Sequence, residues 1–455
     1  MSVQLADGVH RFEPYPAYKE SGVEWLGEIP EQWDAFRLGS IGGFSKGNGG
    51  SKVDEVDEGV PCIRYGDLYT QHKFFIRSCR SFVTEERSAD YTKILHGDVL
   101  FAGSGETLEE IGKSAVNLLD SNACCGGDVL LFRPTREVIA SFMGYASDCP
   151  QSVLQKARMG RGVTVMHIYA DRLKTLTVAL PPLDEQRLIA AFLDRETGKI
   201  DALVVKLEQL VELLQEKRTA LISHAVTKGL DPNVPMKDSG VEWLGQIPAH
   251  WKVKPLGRAV SISGGSTPSK DNLAYWDGNV PWVSPKDMKR WVLDDSEDHI
   301  TELALRQSGI SLIQPSAVLI VIRGMILARD FPVAVNAVAV TINQDMKALR
   351  PSSSLSGSYL AHELRVIQEA FFAIREESGH GTKCLRTELW KGIVVAVPPF
   401  EEQEDICREV DNKTRTLDSL TAKVRDGIDR LREYRAALIS AAVTGKIDVR
   451  GEAAC

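Results

Sequence analysis

SGVEWLGEIPEQW at Ser21–Trp33 returns as SGVEWLGQIPAHW at Ser239–Trp251, 218 positions later. Two further echoes follow at an offset of 217. LPPLDEQ (Leu180–Gln186) returns as VPPFEEQ (Val397–Gln403), and RTALISHAVTKGLD (Arg218–Asp231) as RAALISAAVTGKID (Arg435–Asp448). Fainter matches fill the interior: VPCIRYGDL (60–68) against VPWVSPKDM (280–288), and FRP (132–134) against LRP (349–351). Such a period, in two copies, marks a duplicated unit and not a solenoid. Each half reads as a tag, a variable block and a helix. The tags and helices repeat closely while the blocks diverge, so the repeated parts are a frame and the divergent parts are what it displays.

The helices are the clearest local expectation. Each Pro-Pro pair is followed by acids, Asp184–Glu185 or Glu401–Glu402, which suit the positive end of a helix. Downstream, apolar residues at Ile200, Leu203, Leu207, Leu210, Leu214 and Leu221 step by threes and fours, the spacing of a heptad seam. Shifted by 217, the slots hold Leu417, Leu420, Val424, Gly427, Leu431 and Leu438, with interruptions at Lys217 and Gly427. Matched seams predict that the two helices pack on each other. At 1.5 Å per residue the stretch 185–227 would span about 65 Å and the heptad core about 30 Å.

The blocks read as mixed α and β. GDVLLF (127–132), AVLIVI (317–322) and GIVVAV (392–397) have the β-branched content and turn boundaries of strands, and 357–378 reads as one helix. With 455 residues, 43% hydrophobic and 25% charged, the composition is that of a soluble globular protein of two to four domains. No run of 18 apolar residues and no basic-then-apolar leader is present, so the expected location is the cytoplasm, with no membrane partner. The net charge of −8 is unevenly spread. Residues 37–180 hold 17 basic and 17 acidic side chains, and 252–397 hold 17 and 15, so either block can present a basic face.

Catalytic motifs come close and miss. GSGETLEEIGKS (103–114) has six residues between Gly105 and Gly112 where a phosphate loop needs four. It is expected to be a surface turn before a strand. The VPPF at 397–400 has Val397 where an amino-methyltransferase box needs Asn or Asp to accept from the target amine. The eight cysteines form no C-x-x-C pair and no zinc spacing, and Cys124–Cys125 is expected to be strand packing. No metal site and no catalytic residue is predicted.

In combination, the duplicated layout, the P-P-x-x-E-Q step into a long helix and SGVEWLG-x-IP-x-x-W resemble the specificity subunit of a type I restriction-modification system. ISGGSTPSKDNLAYWDGNVPWVSPKDM (262–288) is similar to the opening of one target-recognition domain. KGNGGSK (46–52), IRYGDLYT (63–70), SGETLEEIGKSAV (104–116) and GRGVTVMHI (160–168) are similar to another variant. The resemblance spans all but the first 17 or so residues. It implies an α+β fold: two pseudo-twofold-related mixed α/β recognition domains separated by two long antiparallel helices forming a coiled coil. The segments are then a tail (1–17), a first recognition domain with its tag (18–182), a central helix (183–230), a second domain (231–398) and a C-terminal helix (399–455).

By the same resemblance the chain is not an enzyme by itself. It reads an asymmetric, split site on double-stranded DNA. It docks two methyltransferase subunits and two restriction/translocase subunits. S-adenosylmethionine, ATP and Mg belong to those partners, and no cofactor belongs to this chain. Half-sites one DNA turn apart lie roughly 34–36 Å from each other, close to the heptad core length. Phosphate contacts need Lys and Arg, and base edges need forked or amide side chains. The DNA-contact candidates are Lys46, Asn48, Lys52, Arg64, Tyr65, Arg158, Arg161 and Thr164 in the first block. In the second they are Ser266, Thr267, Ser269, Lys270, Trp282, Lys286, Lys289, His380 and Lys383. Two other readings compete: a fused restriction-methylation enzyme that contains these domains, and a coiled-coil adaptor whose blocks bind protein.

Overall fold

The computed structural model describes residues 12–49, 52–377 and 381–454. They fall into two compact units, residues 1–208 with 426–455, and residues 209–425. The principal helices are α1 (Ala140–Asp148), α2 (Leu183–Lys228), α3 (Gly357–Val366) and α4 (Phe400–Val443). The units do not follow the linear segments, because each takes part of α2 and part of α4.

In the first unit the tag is a small antiparallel pair, Tyr18–Glu20 against Glu28–Pro30. It ends on Trp33, which is fully buried and meets Tyr15 edge-on at 5.7 Å. The segment before the tag is therefore part of the fold, since Tyr15 is buried and Phe12 packs edge-on against Phe192 of α2. The block is built on five strands, β1 (Gly42–Lys46), β2 (Phe74–Ile76), β3 (Val99–Ala102), β4 (Ser114–Asn117) and β5 (Val129–Pro134), in the order β1-β5-β3-β4-β2. Only the β4–β2 pair is parallel. The strands are short, β-branched and aromatic, and β3 and β4 are buried throughout, as expected of a sheet covered on both faces. Helix α1 packs over β4. A ribbon of Asp34–Arg37 with Thr177–Leu180 joins the beginning of the block to its end, and the Pro-Pro step follows at once.

The second unit repeats the plan. Met236–Asp238 pairs with Gln246–Pro248, and Trp251 is fully buried. Strands β6 (Val260–Gly264), β7 (Val292–Leu293), β8 (Val318–Val321), β9 (Val333–Asn336) and β10 (Met346–Pro351) take the order β6-β10-β8-β9-β7. This is the order of the first sheet, strand for strand. Helix α3 packs over β9, and Lys252–Pro255 with Val394–Val397 forms the closing ribbon. The faint VPCIRYGDL/VPWVSPKDM echo also has a structural cause. In each copy a strand runs into a turn closed by an Asp carboxylate. Asp67 accepts from the Arg64 N–H at 2.9 Å, and Asp287 from the Ser284 N–H at 2.8 Å.

Two expectations need correction. Residues 357–378 are not one helix. Helix α3 stops at Val366, a second turn covers Gln368–Ala373, and Arg375–Glu377 turns into a strand against Lys383–Leu385. No breaker marks the stop; tertiary packing overrides local propensity there. One cause is Phe371, stacked on Phe331 at 4.1 Å. The heptad seam also runs in the other phase. Ile200 and Leu214 are buried and Leu207 and Leu221 half-buried, but Leu203 and Leu210 are 45% and 38% exposed. Val204 and Val211 face inward instead. On α4, Leu417, Val424 and Leu431 are half-buried and Leu438 buried. Leu420 is 44% exposed, while Thr421 and Ile428 take the inner slots. Steps of four-three and three-four share the period 3.5, so apolar spacing alone does not select the phase.

Residues 106–112 are turns before β4. Ala123–Cys125 is a buried strand with Cys124 opposite Cys62, and burial pushes the Cys125 thiol up to about 12. No helix is long and apolar enough to cross a membrane among the described residues.

Candidate nucleic-acid interface and the frame that carries it

The P-P-x-x-E-Q step is a joint. Gln186 is buried, and its amide donates to the Pro181 carbonyl (2.8 Å) while its oxygen accepts from the Ile139 N–H (2.9 Å). Ile139 is the residue before α1, so one glutamine fastens the start of α2 to the start of α1. Gln403 does the same for α4 and α3. It donates to the carbonyls of Pro398 (2.8 Å) and Ser354 (2.9 Å) and accepts from the Ser356 N–H (2.7 Å). An unmade bond at these buried backbone groups would cost about 1–3 kcal/mol. The neighbouring glutamate holds the segment before the tag in the first copy and the end of the tag in the second. Glu185 accepts from the Tyr15 hydroxyl at 2.5 Å. Burial, then that bond, pushes the phenol's pKa upward. Glu402 accepts from the Trp251 indole at 3.1 Å and meets His250 at 2.8 Å. The acids after the prolines therefore serve more than the helix dipole.

In each unit the two long helices are also joined by ion pairs. In the first, Arg435 grips Asp201 with two bonds of 2.8 and 2.9 Å, and Arg432 meets Glu208 at 2.8 Å. These pairs run in opposite directions along the two helices, so the helices are antiparallel here. In the second, Arg218 meets Asp418 at 2.9 Å. Arg218 and Arg435 are repeat-equivalent, as are Asp201 and Asp418. The arginines open the RTALIS/RAALIS echo, so the repeat itself carried the signal for these pairs.

On the first block, four sequence candidates converge. Lys46, Asn48, Arg64 and Tyr65 line one cleft of about 970 Å³. Strand β1 brings Lys46 to its mouth, and the loop after it brings Asn48, whose amide donates to the Asp90 carbonyl at 3.2 Å. Arg64 pairs with Glu55 at 2.7 Å, and Tyr65 is 43% exposed. Gln71 and Arg80 line the same cleft and are missing from the sequence candidates, because neither stands in a recognisable motif. The cleft offers two guanidinium groups and two amides, the side chains that read base edges in pairs. Arg158, Arg161 and Thr164 do not line it. They are exposed at the end of Pro150–Met159 and on the small hairpin after it. Lys52 opens a short turn, Lys52–Asp54, and its side chain lies outside the described residues.

On the second block, Ser266, Thr267, Ser269 and Lys270 share the loop after β6. Two indoles fix that loop: Trp282 donates to the Ser266 carbonyl at 3.0 Å and Trp276 to the Ser269 carbonyl at 3.1 Å. Trp282 is thus corrected from contact candidate to support. It is buried and sits edge-on to Trp276 at 5.2 Å, so its face is not available to a base. Thr267 bonds Gln344. Lys270 and Lys289 are exposed. Lys286 is held by Asp298 and Glu297, which raise its pKa, and Lys383 is paired with Glu377. Those two cations must exchange a carboxylate for any phosphate. His380 lies outside the described residues.

Known proteins resemble the whole of this arrangement. The family model described as "Type I restriction modification DNA specificity domain" matches twice, over residues 30–213 and 248–430. A putative type I restriction enzyme specificity subunit, MjaX, of Methanocaldococcus jannaschii is 23% identical over 446 residues, 95% of this chain and 98% of its own length. The EcoKI specificity subunit of Escherichia coli K12 is 20% identical, over 94% of this chain and 92% of that protein. The EcoR124I/EcoR124II specificity subunit of Escherichia coli reaches 32% identity, but the chain spans about half of it: 48% of its length and 45% of this one. Among solved structures, a chain from work on assembly of the type I R-M system superposes with a TM-score of 0.72 at 17% identity, over 92% of this chain and 99% of the other. The HsdS subunit of Thermoanaerobacter tengcongensis gives 0.54, also at 17% identity, over 92% and 98%. Two matched domains on one chain, each with the sheet, closing ribbon and helix joint described above, place it: the chain belongs to the family of type I restriction-modification DNA specificity subunits.

Proposed function

We propose that this chain reads DNA for a type I restriction-modification enzyme and supplies no chemistry of its own. The observation that carries this is the contrast between the two family-matched domains. They share frame, strand order and joints but present different side chains. The first offers a concave cleft with Lys46, Asn48, Arg64 and Tyr65, and the second a Ser/Thr/Lys loop braced by two tryptophans. Two unlike readers on like frames call for two unlike half-sites around an unread gap. The paired helices would set that gap. The repeated frame would dock two modification subunits, which bring S-adenosylmethionine, and two restriction subunits, which bring ATP and Mg. A cytoplasmic location goes with that role.

The deciding experiment is methylation mapping in cells that carry the system with its second block (252–397) replaced by that of a relative. The expected result is one half-site rewritten, with the other half-site and the gap unchanged. A palindromic target, or a swap that rewrites both half-sites, would overturn the reading. An adaptor that binds protein through its blocks would yield no salt-sensitive affinity for duplex DNA at all.

A further inference from the structure

The carboxylate that closes the repeated turn is spent differently in the two blocks. Asp67 and Asp287 stand at matching places in the VPCIRYGDL/VPWVSPKDM echo. In each, Oδ2 accepts from the backbone N–H three residues earlier, that of Arg64 at 2.9 Å and of Ser284 at 2.8 Å. In the second block Oδ1 also goes to backbone, the Glu297 N–H at 2.9 Å. In the first block Oδ1 takes the side-chain amide of Gln71 at 3.0 Å. Asp67 is only 8% exposed, whereas Gln71, which follows the helix Tyr65–Thr70, is exposed and lines the cleft. A residue that serves only the frame in one copy supports a rim residue in the other.

That support fixes which way the amide faces. A carboxylate accepts and does not donate. Gln71 can therefore give Asp67 only its NH2, and its Oε1 has no partner among the described residues. Asn48 is set the same way, since its NH2 goes to the Asp90 carbonyl. An acceptor left facing DNA is informative. Phosphate and deoxyribose oxygens within a strand accept and do not donate, so the backbone offers Oε1 nothing. The donors in the major groove, the groove that admits a helix, are adenine N6 and cytosine N4. Gln71 also keeps one N–H. A donor beside an acceptor matches adenine, which shows N7 beside N6. Cytosine leaves the N–H unmet, and guanine and thymine set O6 or O4 against Oε1.

We propose that Gln71 reads an adenine in the half-site of the first block, and that the buried Asp67 makes that choice by holding the amide oxygen outward. On the function proposed above, on which this rests, Asp67 is a positioning residue and touches no base.

The test is the base preference of the chain bound to its modification subunit, measured by competition among duplexes that differ from the mapped target in one base pair. In the half-site that the block exchange assigns to the first block, wild type should prefer adenine at one position by about 5- to 150-fold. Gln71→Ala changes an exposed residue, so the fold should survive, which thermal unfolding would verify. It should remove that preference and leave the salt slope unaltered, because an amide releases no counterion. Asp67→Asn is the sharper variant. The oxygen of the new amide must stay with the Arg64 N–H, so its NH2 faces Gln71, whose own amide must turn over and show NH2 outward. Preference should then move from adenine to a base that offers acceptors, guanine or thymine. Asp67→Asn with Gln71→Glu restores a donor–acceptor contact between the two and should favour cytosine, whose N4 donates to a carboxylate. Equal weakening of all duplexes by Gln71→Ala, or a shallower salt slope, would overturn the proposal by making Gln71 a backbone contact or a mere support. An adenine preference that survives Asp67→Asn would overturn the role given to Asp67. A wild-type complex with no salt-sensitive affinity for duplex DNA would instead remove the function on which both rest.

Discussion

The central five-stranded sheets of the two blocks match strand for strand, whereas the further sheets beyond them do not. Beyond the first lie a five-stranded and a three-stranded sheet; beyond the second lie a three-stranded sheet and the pair Arg375–Glu377 with Lys383–Leu385. The same division separates the buried joints from the rims. Gln186 and Gln403 make the same two bonds, Gln403 adding one to Ser354, but the first block presents the cleft of Lys46, Asn48, Arg64 and Tyr65 and the second a Ser/Thr/Lys loop braced by two indoles. Duplication followed by divergence has thus stopped where side chains must satisfy buried backbone. A buried amide that loses its partner costs stability at once, and a rim residue that changes costs little. What can vary is what faces a ligand.

That comparison can be broken in several ways. The harshest is Leu207→Asp with Val424→Asp, which puts charges at two half-buried seam positions. Stability should fall by several kcal/mol in urea unfolding; an unchanged midpoint would mean the seam is not a core. Next come Gln186→Ala and Gln403→Ala, each expected to cost about 1–3 kcal/mol and by similar amounts. Markedly unequal losses would show that the two joints are alike in form only.

The ion pairs between the helices sharpen the comparison further, because their burial differs. Arg435 is only 10% exposed against 36% for Arg218. Asp201→Ala should therefore cost about 1–3 kcal/mol, discounted because the aspartate itself is half exposed. Asp418→Ala should cost less than about 1 kcal/mol and be masked by salt. Reversal of that order would refute the burial argument. The smallest effects belong to the rim. Lys270→Ala should leave stability unchanged and lower the salt slope of duplex binding by about one. Lys286→Ala should do less, because Glu297 and Asp298 already hold that ammonium.

Much of the frame was legible in the sequence because it is written twice. The tags, the Pro-Pro step and the long helices each appear where the echoes put them. The seam phase was not, since Leu203 and Val204, or Leu210 and Val211, are both apolar and only packing distinguishes them. The break after Val366 was hidden because no glycine or proline marks it. On the rims, composition suggested cations and amides. It could not show that strand pairing gathers Lys46, Asn48, Arg64 and Tyr65 around one hollow, or that Trp282 is spent inside. Residue type reports what a side chain can bond, and only the sheet order reports what it can reach.

The ends of the long helices carry one more consequence. Helix α2 closes on Gly229 at φ +77°, and Lys228 bonds the Gln246 carbonyl of the tag just after it. Helix α4 closes on Gly445 at φ +70°, and Lys446 bonds the Glu28 carbonyl at 2.6 Å, while the Asp448 N–H donates to the Glu13 carbonyl at 2.8 Å. One corner is thus made within 18 residues and the other across 418, with the same lysine-to-carbonyl clasp. A clasp that holds without a nearby peptide link does not depend on one. The stretch between Gly229 and the second tag is a tether that shortens a search, worth only the entropy of closing a loop. Cut there, the polypeptide would still have every non-covalent contact needed to hold that corner shut.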